Sequence, residues 1–156
     1  MSSVKKHYII RVGDGINFKN SKFPFWGIKS GNNNQFKSRV AKFKKGDILW
    51  FMVNKSDGAR LIAMAEYEKF FDRREEPLIY IHTITNRQQN WTEPNIGEED
   101  WSIQIHYTNL YLIEKHNIKA SWPGGAFIFD YETKKDNVSH DLYSCYEMYV
   151  ARPKPF

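Results

Sequence analysis

Short apolar segments separated by polar stretches recur along the chain and predict β-strands. Residues 7–12 (HYIIRV) predict a first strand, because the turn signal Gly13-Asp14-Gly15 follows at once. Residues 48–53 (ILWFMV) are apolar without a break, which is typical of a strand buried on both faces. Residues 60–67 (RLIAMAEY) follow a hairpin-type turn and predict its partner strand. The pattern therefore indicates a β-sheet with a buried centre.

The second half of the chain is dominated by alternating apolar and polar residues. Residues 78–84 and 101–113 alternate and predict two strands, and residues 126–131 predict a last strand after Gly124-Gly125. Residues 86–100 are polar and acidic and carry one aromatic residue, Trp91. We expect this stretch to be a loop that acts as a mobile flap.

Helical spacing occurs twice. Phe36, Val40 and Phe43 fall at i, i+4 and i+7 and predict a short helix whose other face is basic. The long polar stretch before this helix, including residues 23–28, predicts a loop. A helix near the C-terminus is predicted from five apolar residues at the same spacing: Val138, Leu142, Cys145, Tyr146 and Tyr149.

Together these elements predict one α+β domain over residues 1–156, with a curved β-sheet and a short tail at residues 152–156. The length suits a single domain, and 41% hydrophobic residues are enough for a core. No stretch approaches the roughly 20 apolar residues of a membrane span, and the start lacks the apolar segment of a secretion signal. The single cysteine, Cys145, excludes an internal disulfide. We therefore expect an intracellular monomer without membrane contacts.

Charge is distributed unevenly along the chain, although the net charge is only +5. Residues 15–46, called here the basic segment, contain none of the 18 acidic residues and eight of the 23 basic ones. Such a segment attracts polyanions, of which nucleic-acid phosphates are the commonest in cells. A solvated lysine-rich face is the alternative. The basic residues are Lys19, Lys22, Lys29, Lys37, Arg39, Lys42, Lys44 and Lys45.

Residue types that catalyse reactions or bind metals form no recognisable motif. The five histidines lack metal-ligand spacing, and no phosphate-binding glycine loop is present, so we expect no metal, cofactor or catalytic residue. Residues 139–141 (SHD) contain triad residue types, but they predict the start of the last helix, since neighbours on a helix cannot converge on one proton. Cys145 is predicted to be a small core residue. Glu66 is either a buried acid–base group or, as we favour, a carboxylate at the sheet's rim.

The tryptophans separate core positions from a candidate binding surface. Trp50 lies in the fully apolar strand and is predicted to be core. Trp26 lies in the predicted loop inside the basic segment, where a ring beside lysines favours stacking on an unpaired base. A small satellite core is the other interpretation of Trp26. Trp91 and Trp101 frame the acidic stretch and are positioned to close on the same pocket.

The order of these motifs resembles the PUA-like superfamily, in particular its EVE and YTH branches. The resemblance spans about residues 7–114 and is carried by an ordered set, not by any single motif. The set is HYIIRV, FWGI at 25–28, FKKGD at 43–47 before ILWFMV, LIAMAEY, and DWSIQIHY at 100–107. Such domains are compact β-barrels flanked by helices that bind modified bases, and YTH domains hold N6-methyladenine in an aromatic cage. The resemblance implies a PUA-like curved sheet or open β-barrel flanked by helices.

Site residues follow from the resemblance by position. The first cage wall falls on Trp26, with Gly27 beside it, and the later wall falls on Trp91 or on Trp101. This chain has Gly27-Ile28 where YTH domains have Cys-Ser after the first cage tryptophan, and its acidic stretch is longer. The preferred base and the tryptophan that closes the cage therefore stay open.

The sequence thus predicts a binding module, not an enzyme. It would bind RNA or DNA and hold one modified, methylated nucleobase in an aromatic cage, while Lys22, Lys29, Lys37 and Arg39 hold the phosphates. One alternative is a hydrolase of nucleotides or RNA, similar to the ASCH branch, which a polar group with a shifted pKa inside the pocket, such as Glu66 or Lys69, would favour. The other is a reader of methyl-lysine peptides, which the basic segment disfavours because it repels a basic tail.

Overall fold

A computed structural model describes residues 5–13, 15–20, 25–54, 58–72, 75, 79–81, 88–90, 103–113, 117–120 and 128–151. The chain divides into two compact units, each assembled from separate stretches. Unit 1 comprises Met1–Asn20, Gly46–Glu66 and Asn109–Phe156, and unit 2 comprises Ser21–Lys45 and Tyr67–Thr108.

The fold is α+β, with a six-stranded mixed sheet in the order β2-β7-β4-β3-β1-β8. Strands β1 and β3 are parallel, while β2–β7, β3–β4 and β1–β8 are antiparallel pairs. Among the described residues, β5 and β6 form a second sheet. The strands are β1 (His7–Arg11), β2 (Phe25–Ile28), β3 (Ile48–Met52), β4 (Leu61–Asp72), β5 (Ile79–Ile81), β6 (Gln88–Asn90), β7 (Ile103–Leu112) and β8 (Ile128–Asp130).

The helices are short except for the last one. They are α1 (Ile16–Asn20), α2 (Gln35–Val40), α3 (Tyr131–Lys134) and α4 (Leu142–Ala151). Among the residues that the structure describes, no helix is long and apolar enough to cross a membrane.

The core of unit 1 surrounds β3, all of whose residues are buried. Trp50 is 0% exposed, which confirms the prediction that it is core. Helix α4 adds Leu142 and Cys145 to the same cluster as Ile9 of β1, so the predicted apolar face of the last helix is confirmed at these positions. The burial of Cys145 raises the pKa of its thiol, which keeps it protonated and unreactive.

The start of α4 is fixed by the SHD triplet, as predicted. The carboxylate of Asp141 accepts hydrogen bonds from the backbone N–H of Tyr143 at 3.0 Å and from the Ser144 hydroxyl at 3.2 Å. An aspartate in this position satisfies backbone donors that the first helical turn leaves without a partner. Ser139 Oγ and His140 Nδ1 are 2.7 Å apart. The Asp141 carboxylate, in contrast, accepts its hydrogen bonds from Tyr143 and Ser144 of α4.

In unit 2, α2 has the predicted character. Phe36 and Val40 are buried, and Phe43 just beyond the helix is also buried, with its ring edge-on to Tyr67 at 5.2 Å between centroids. Arg39 and Lys42 are exposed. The helical spacing of the apolar residues therefore identified the buried face correctly.

Several predicted boundaries and one predicted loop are wrong. Residues 25–28 form a strand, not a loop, because Phe25 and Ile28 bury their side chains while the backbone pairs with β7. Residues 16–20 form α1, and residues 88–90 pair with β5 inside the stretch predicted to be a loop. The rest of residues 86–100 lies outside the described part, as do Gly124-Gly125 and the tail.

Other differences concern strand ends. β4 continues to Asp72, five residues beyond the predicted end, and includes Phe70 and Phe71. The last strand stops at Asp130, where the Asp130 carboxylate accepts a hydrogen bond from the backbone N–H of Glu132 and caps α3. A capping residue at this point starts a helix where the alternation alone predicted one more strand residue.

Candidate functional site

The candidate site lies on the β2–β7 pair of unit 2, where Trp26 and Gly27 are located. Phe25 pairs with His106, Trp26 with Ile105, Gly27 with Gln104 and Ile28 with Ile103. Paired residues share a face and successive residues alternate. One face, called here the Trp26 face, therefore carries Trp26, Ile28, Ile103 and Ile105. The other, called the Gln104 face, carries Phe25, Gly27, Gln104 and His106.

On the Trp26 face, a partly exposed aromatic ring lies on the same face as three buried isoleucines, called here the apolar floor. Ile103 and Ile105 are 0% exposed, and Ile28 is buried as well, whereas Trp26 is only partly buried. The sequence placed Trp26 in a loop; it is instead held by the backbone pairing of an edge strand. A strand fixes the position of a ring more firmly than a loop does, which suits a stacking surface.

The Gln104 face combines buried polar groups with aromatic rings. The His106 ring, 1% exposed, is stacked on Phe25 at 5.0 Å between centroids and meets Phe71 edge-on at 5.0 Å. Burial lowers the pKa of His106 to about 4, and the positive charge of Lys69 lowers it further. His106 is therefore neutral at physiological pH.

Gln104 is the second buried polar residue on this face, at 2% exposure. Its amide oxygen has no hydrogen-bond partner among the described residues. Leaving a buried acceptor unpaired costs on the order of 1–3 kcal/mol. Directly opposite lies Gly27, which has no side chain to cover the amide.

The described basic residues that the basic segment contributes to unit 2 fall into two groups by exposure. Lys29 follows β2 directly, and α2 and the turn after it carry the others; all of this first group are exposed. Lys37 differs, because its ammonium binds the Asp72 carboxylate at 2.9 Å and the Glu75 carboxylate at 2.7 Å. Both hydrogen bonds raise the pKa of Lys37, and the one to Glu75 has the larger effect. The exposed group is Lys29, Arg39, Lys42, Lys44 and Lys45.

Only some of the site residues predicted from the sequence are found in the same region of the described structure. Trp26, Gly27 and Lys29 share β2 or its end, and Arg39 lies on α2 of the same unit with its guanidinium 5.9 Å from the Phe36 ring centroid. Lys37 is neutralised by carboxylates that are distant in sequence, so the basic segment is less one-sided than its composition suggests. Lys22, Trp91 and Trp101 lie outside the described residues.

The two residues named for the hydrolase alternative lie in different units. Glu66 lies in unit 1, partly buried, and accepts hydrogen bonds from Asn109 at 3.0 Å and Lys5 at 3.4 Å, as a carboxylate at the rim would. Lys69 lies in unit 2 and is exposed, with its ammonium 5.2 Å from the Phe71 ring centroid. Over the described ranges, no cluster of three histidine, cysteine or carboxylate side chains could hold a metal ion.

Sequence reasoning missed Gln104 and His106. Their positions alternate with Ile103 and Ile105, which is the pattern of a strand with one solvated face. Both faces are in fact buried at this point of β7. Gln104 and His106 stand out as polar residues between buried apolar neighbours in the strand. This becomes apparent only once the burial of both faces is known.

Comparison of the sequence with protein-family models and with curated proteins finds no match.

Proposed function

We propose that this protein is a nucleic-acid-binding module of PUA-like architecture that holds one modified nucleobase, with unit 2 as its interface. One observation supports the proposal best: Trp26 is partly exposed on the same face as the buried isoleucines of the apolar floor, in a strand followed directly by exposed Lys29. A flat ring beside cations is the combination that binds an unpaired base and its phosphate.

The ring would supply affinity for every base. Stacking of one base on an aromatic side chain contributes roughly 1–3 kcal/mol and depends little on base identity. A methylated base is neutral, so preference for it would come from apolar contact with Trp26 and its floor. One buried methyl group contributes about 0.8 kcal/mol and a well-fitted ring contact roughly 1 kcal/mol more. The expected preference is about tenfold to thirtyfold.

Phosphate contacts would come from the exposed basic residues. Lys29 and Arg39 take this role in the proposal together with Lys22, and the neighbouring Lys42, Lys44 and Lys45 add to the field. Lys37 would contribute least, because a phosphate would have to displace two carboxylates from its ammonium. The bound strand is single-stranded RNA or DNA, since a paired base offers no free face for stacking.

Substitution of Trp26 tests the proposal directly. We expect Trp26→Ala to weaken binding of a modified single strand by roughly 2–4 kcal/mol and to abolish the preference over the matched unmodified strand, because one ring serves both contacts. Trp26→Phe is the matched control and should retain most of the affinity. Titrations with matched strands measure both effects, and thermal melting establishes that each variant is folded. A folded Trp26→Ala protein that binds like the parent would refute the proposal.

A further inference from the structure

We infer that Gln104 reads the nucleotide next to the base stacked on Trp26, by accepting a hydrogen bond from an N–H group on that neighbour's edge. This inference rests on the proposed function and extends it from one base to two adjacent ones. Three features carry it: the unpaired amide of Gln104, the missing side chain at Gly27, and the rings that flank them.

Burial of the unpaired amide oxygen of Gln104 destabilises the free protein. Its oxygen is buried without a hydrogen-bond partner among the described residues, in a strand whose neighbouring positions are isoleucines. Leucine or methionine would fill nearly the same volume without that cost. A polar group of this kind is expected where a partner arrives with a ligand, since local rules are broken mainly at functional sites.

In this inference the ligand reaches the amide past Gly27. Gly27 is directly opposite Gln104 and partly exposed, whereas Phe25 on the same face is buried. Glycine inside a strand often marks a place where a ligand approaches the backbone closely. In the described part of the chain β2 is the terminal strand of the sheet, and we place the approach of the flat ligand group at its outer edge.

The surroundings of Gln104 define the class of ligand. Phe25, Phe71 and the neutral His106 ring form an uncharged, flat-sided environment, and the nearby charge is that of exposed Lys69. An unpaired acceptor requires a donor, so the ligand is planar, uncharged and bears an N–H. Exocyclic amino groups and ring N–H groups of nucleobases meet these conditions. A dialkylated amino group does not, because it has lost its hydrogen.

Trp26 and Gln104 have separate tasks, because they lie on opposite faces of the β2–β7 pair and cannot contact the same base. Trp26 would bind any base by stacking. Gln104 would discriminate among neighbours by hydrogen bonding. Loss of either side chain therefore has its own signature in binding experiments.

The experiment uses single strands with one central modified base, N6-methyladenine or 5-methylcytosine, whichever the full-length parent binds more tightly. Its two flanking positions carry adenine, N6-methyladenine or N6,N6-dimethyladenine. We expect the parent to bind the first two alike and the dimethylated strand about fivefold to thirtyfold more weakly, because only that strand leaves the Gln104 oxygen unpaired. Gln104→Leu should bind all three alike. Gln35→Leu, which removes an exposed amide from α2 of the same unit, should behave like the parent.

Stability supplies a second readout that needs no ligand. Gln104→Leu and Gln104→Met should melt at or above the temperature of the free parent, because they remove an unpaired buried group. If both variants melt clearly lower, the amide is already paired in the free protein and the inference is wrong.

The outcomes also separate the inference from the proposed function. Discrimination that persists in Gln104→Leu would be steric and would overturn the inference while the stacking role of Trp26 stands. A parent that binds none of the strands would overturn both.

Discussion

Two buried histidines, one in each unit, are held neutral by their surroundings. His7 accepts a hydrogen bond at Nδ1 from the indole Nε1 of Trp50 at 2.9 Å, and the rings of Tyr143 and Tyr146 meet it edge-on. Burial lowers the pKa of His7 to about 4, as it does for His106, although Asp47 and Asp141 oppose the shift. A proton on His7 Nδ1 would remove the bond from Trp50.

Acid should therefore destabilise the fold through these two residues. An unfolded histidine has a pKa near 6.5, so between pH 6.5 and 4 the unfolded chain binds protons that the folded chain excludes. The contribution of each histidine to the free energy of unfolding is fully present above pH 6.5. It falls by about 3 kcal/mol for each histidine as the pH drops toward 4. Urea unfolding at several pH values measures this loss.

Comparison among variants isolates the histidines from the carboxylates, which also titrate in acid. His106→Leu should show a shallower loss of stability between pH 6.5 and 4 than the parent. His140→Gln, which changes an exposed histidine, should follow the parent curve. Equal slopes for His106→Leu and the parent would contradict a lowered pKa at His106.

At the scale of single elements, α4 depends on its first residues. Asp141→Ala removes the carboxylate that accepts from Tyr143 N–H and the Ser144 hydroxyl, and should lower the free energy of unfolding by about 1 kcal/mol. Asp141→Asn keeps a capping oxygen and should recover most of that loss. Thermal or urea unfolding measures both variants. A fully stable Asp141→Ala protein would show that the packing of Leu142 and Cys145 alone holds the helix.

Elements with a strong apolar pattern were the ones that the sequence predicted well. α2 and α4 follow the helical spacing of one apolar face, and β1 and β3 follow short apolar runs, because burial of these residues is what stabilises each element. β2 was missed because Pro24 and Gly27 are turn signals, and a four-residue strand is too short for its pairing partner to be recognised locally. The end of β4 was missed because Glu66, Glu68 and Lys69 interrupt the apolar run.

The candidate site was predictable only in its surface part. Trp26 was selected because an aromatic residue within the basic segment is visible in sequence. Gln104 and His106 were not, since the same alternation describes a solvated face, and only packing on the second side buries them. The ion pairs of Lys37 were hidden for a related reason: Asp72 and Glu75 are more than 30 residues away in sequence.

At the scale of the whole molecule, the exposed cations of unit 2 predict an affinity for single-stranded nucleic acid that falls as the salt concentration rises. The triple variant Arg39→Gln, Lys42→Gln and Lys45→Gln should flatten the dependence of log affinity on log salt by about 2 units for any base sequence, since each phosphate contact in a single strand contributes about 0.7. Titrations between low and physiological salt measure the slope.

A second triple variant with the same change in net charge is the control for the effect of net charge alone. Lys6, Lys119 and Lys135 are exposed and belong to unit 1, and their replacement by glutamine should leave most of the slope intact. Equal flattening in both triple variants would mean that no particular basic surface is used.

The position of β2 at the end of the described sheet also bears on aggregation. A terminal strand offers unpaired backbone groups to another copy of the chain, and long, flat, apolar edges of this kind join molecules into larger assemblies. β2 has only four residues, is preceded in sequence by Pro24, which has no N–H to donate, and is followed by exposed Lys29. Brevity, proline and like charge each oppose strand exchange between copies. The edge at which we propose that a nucleotide approaches is thus a poor template for strand addition by a second copy of the chain.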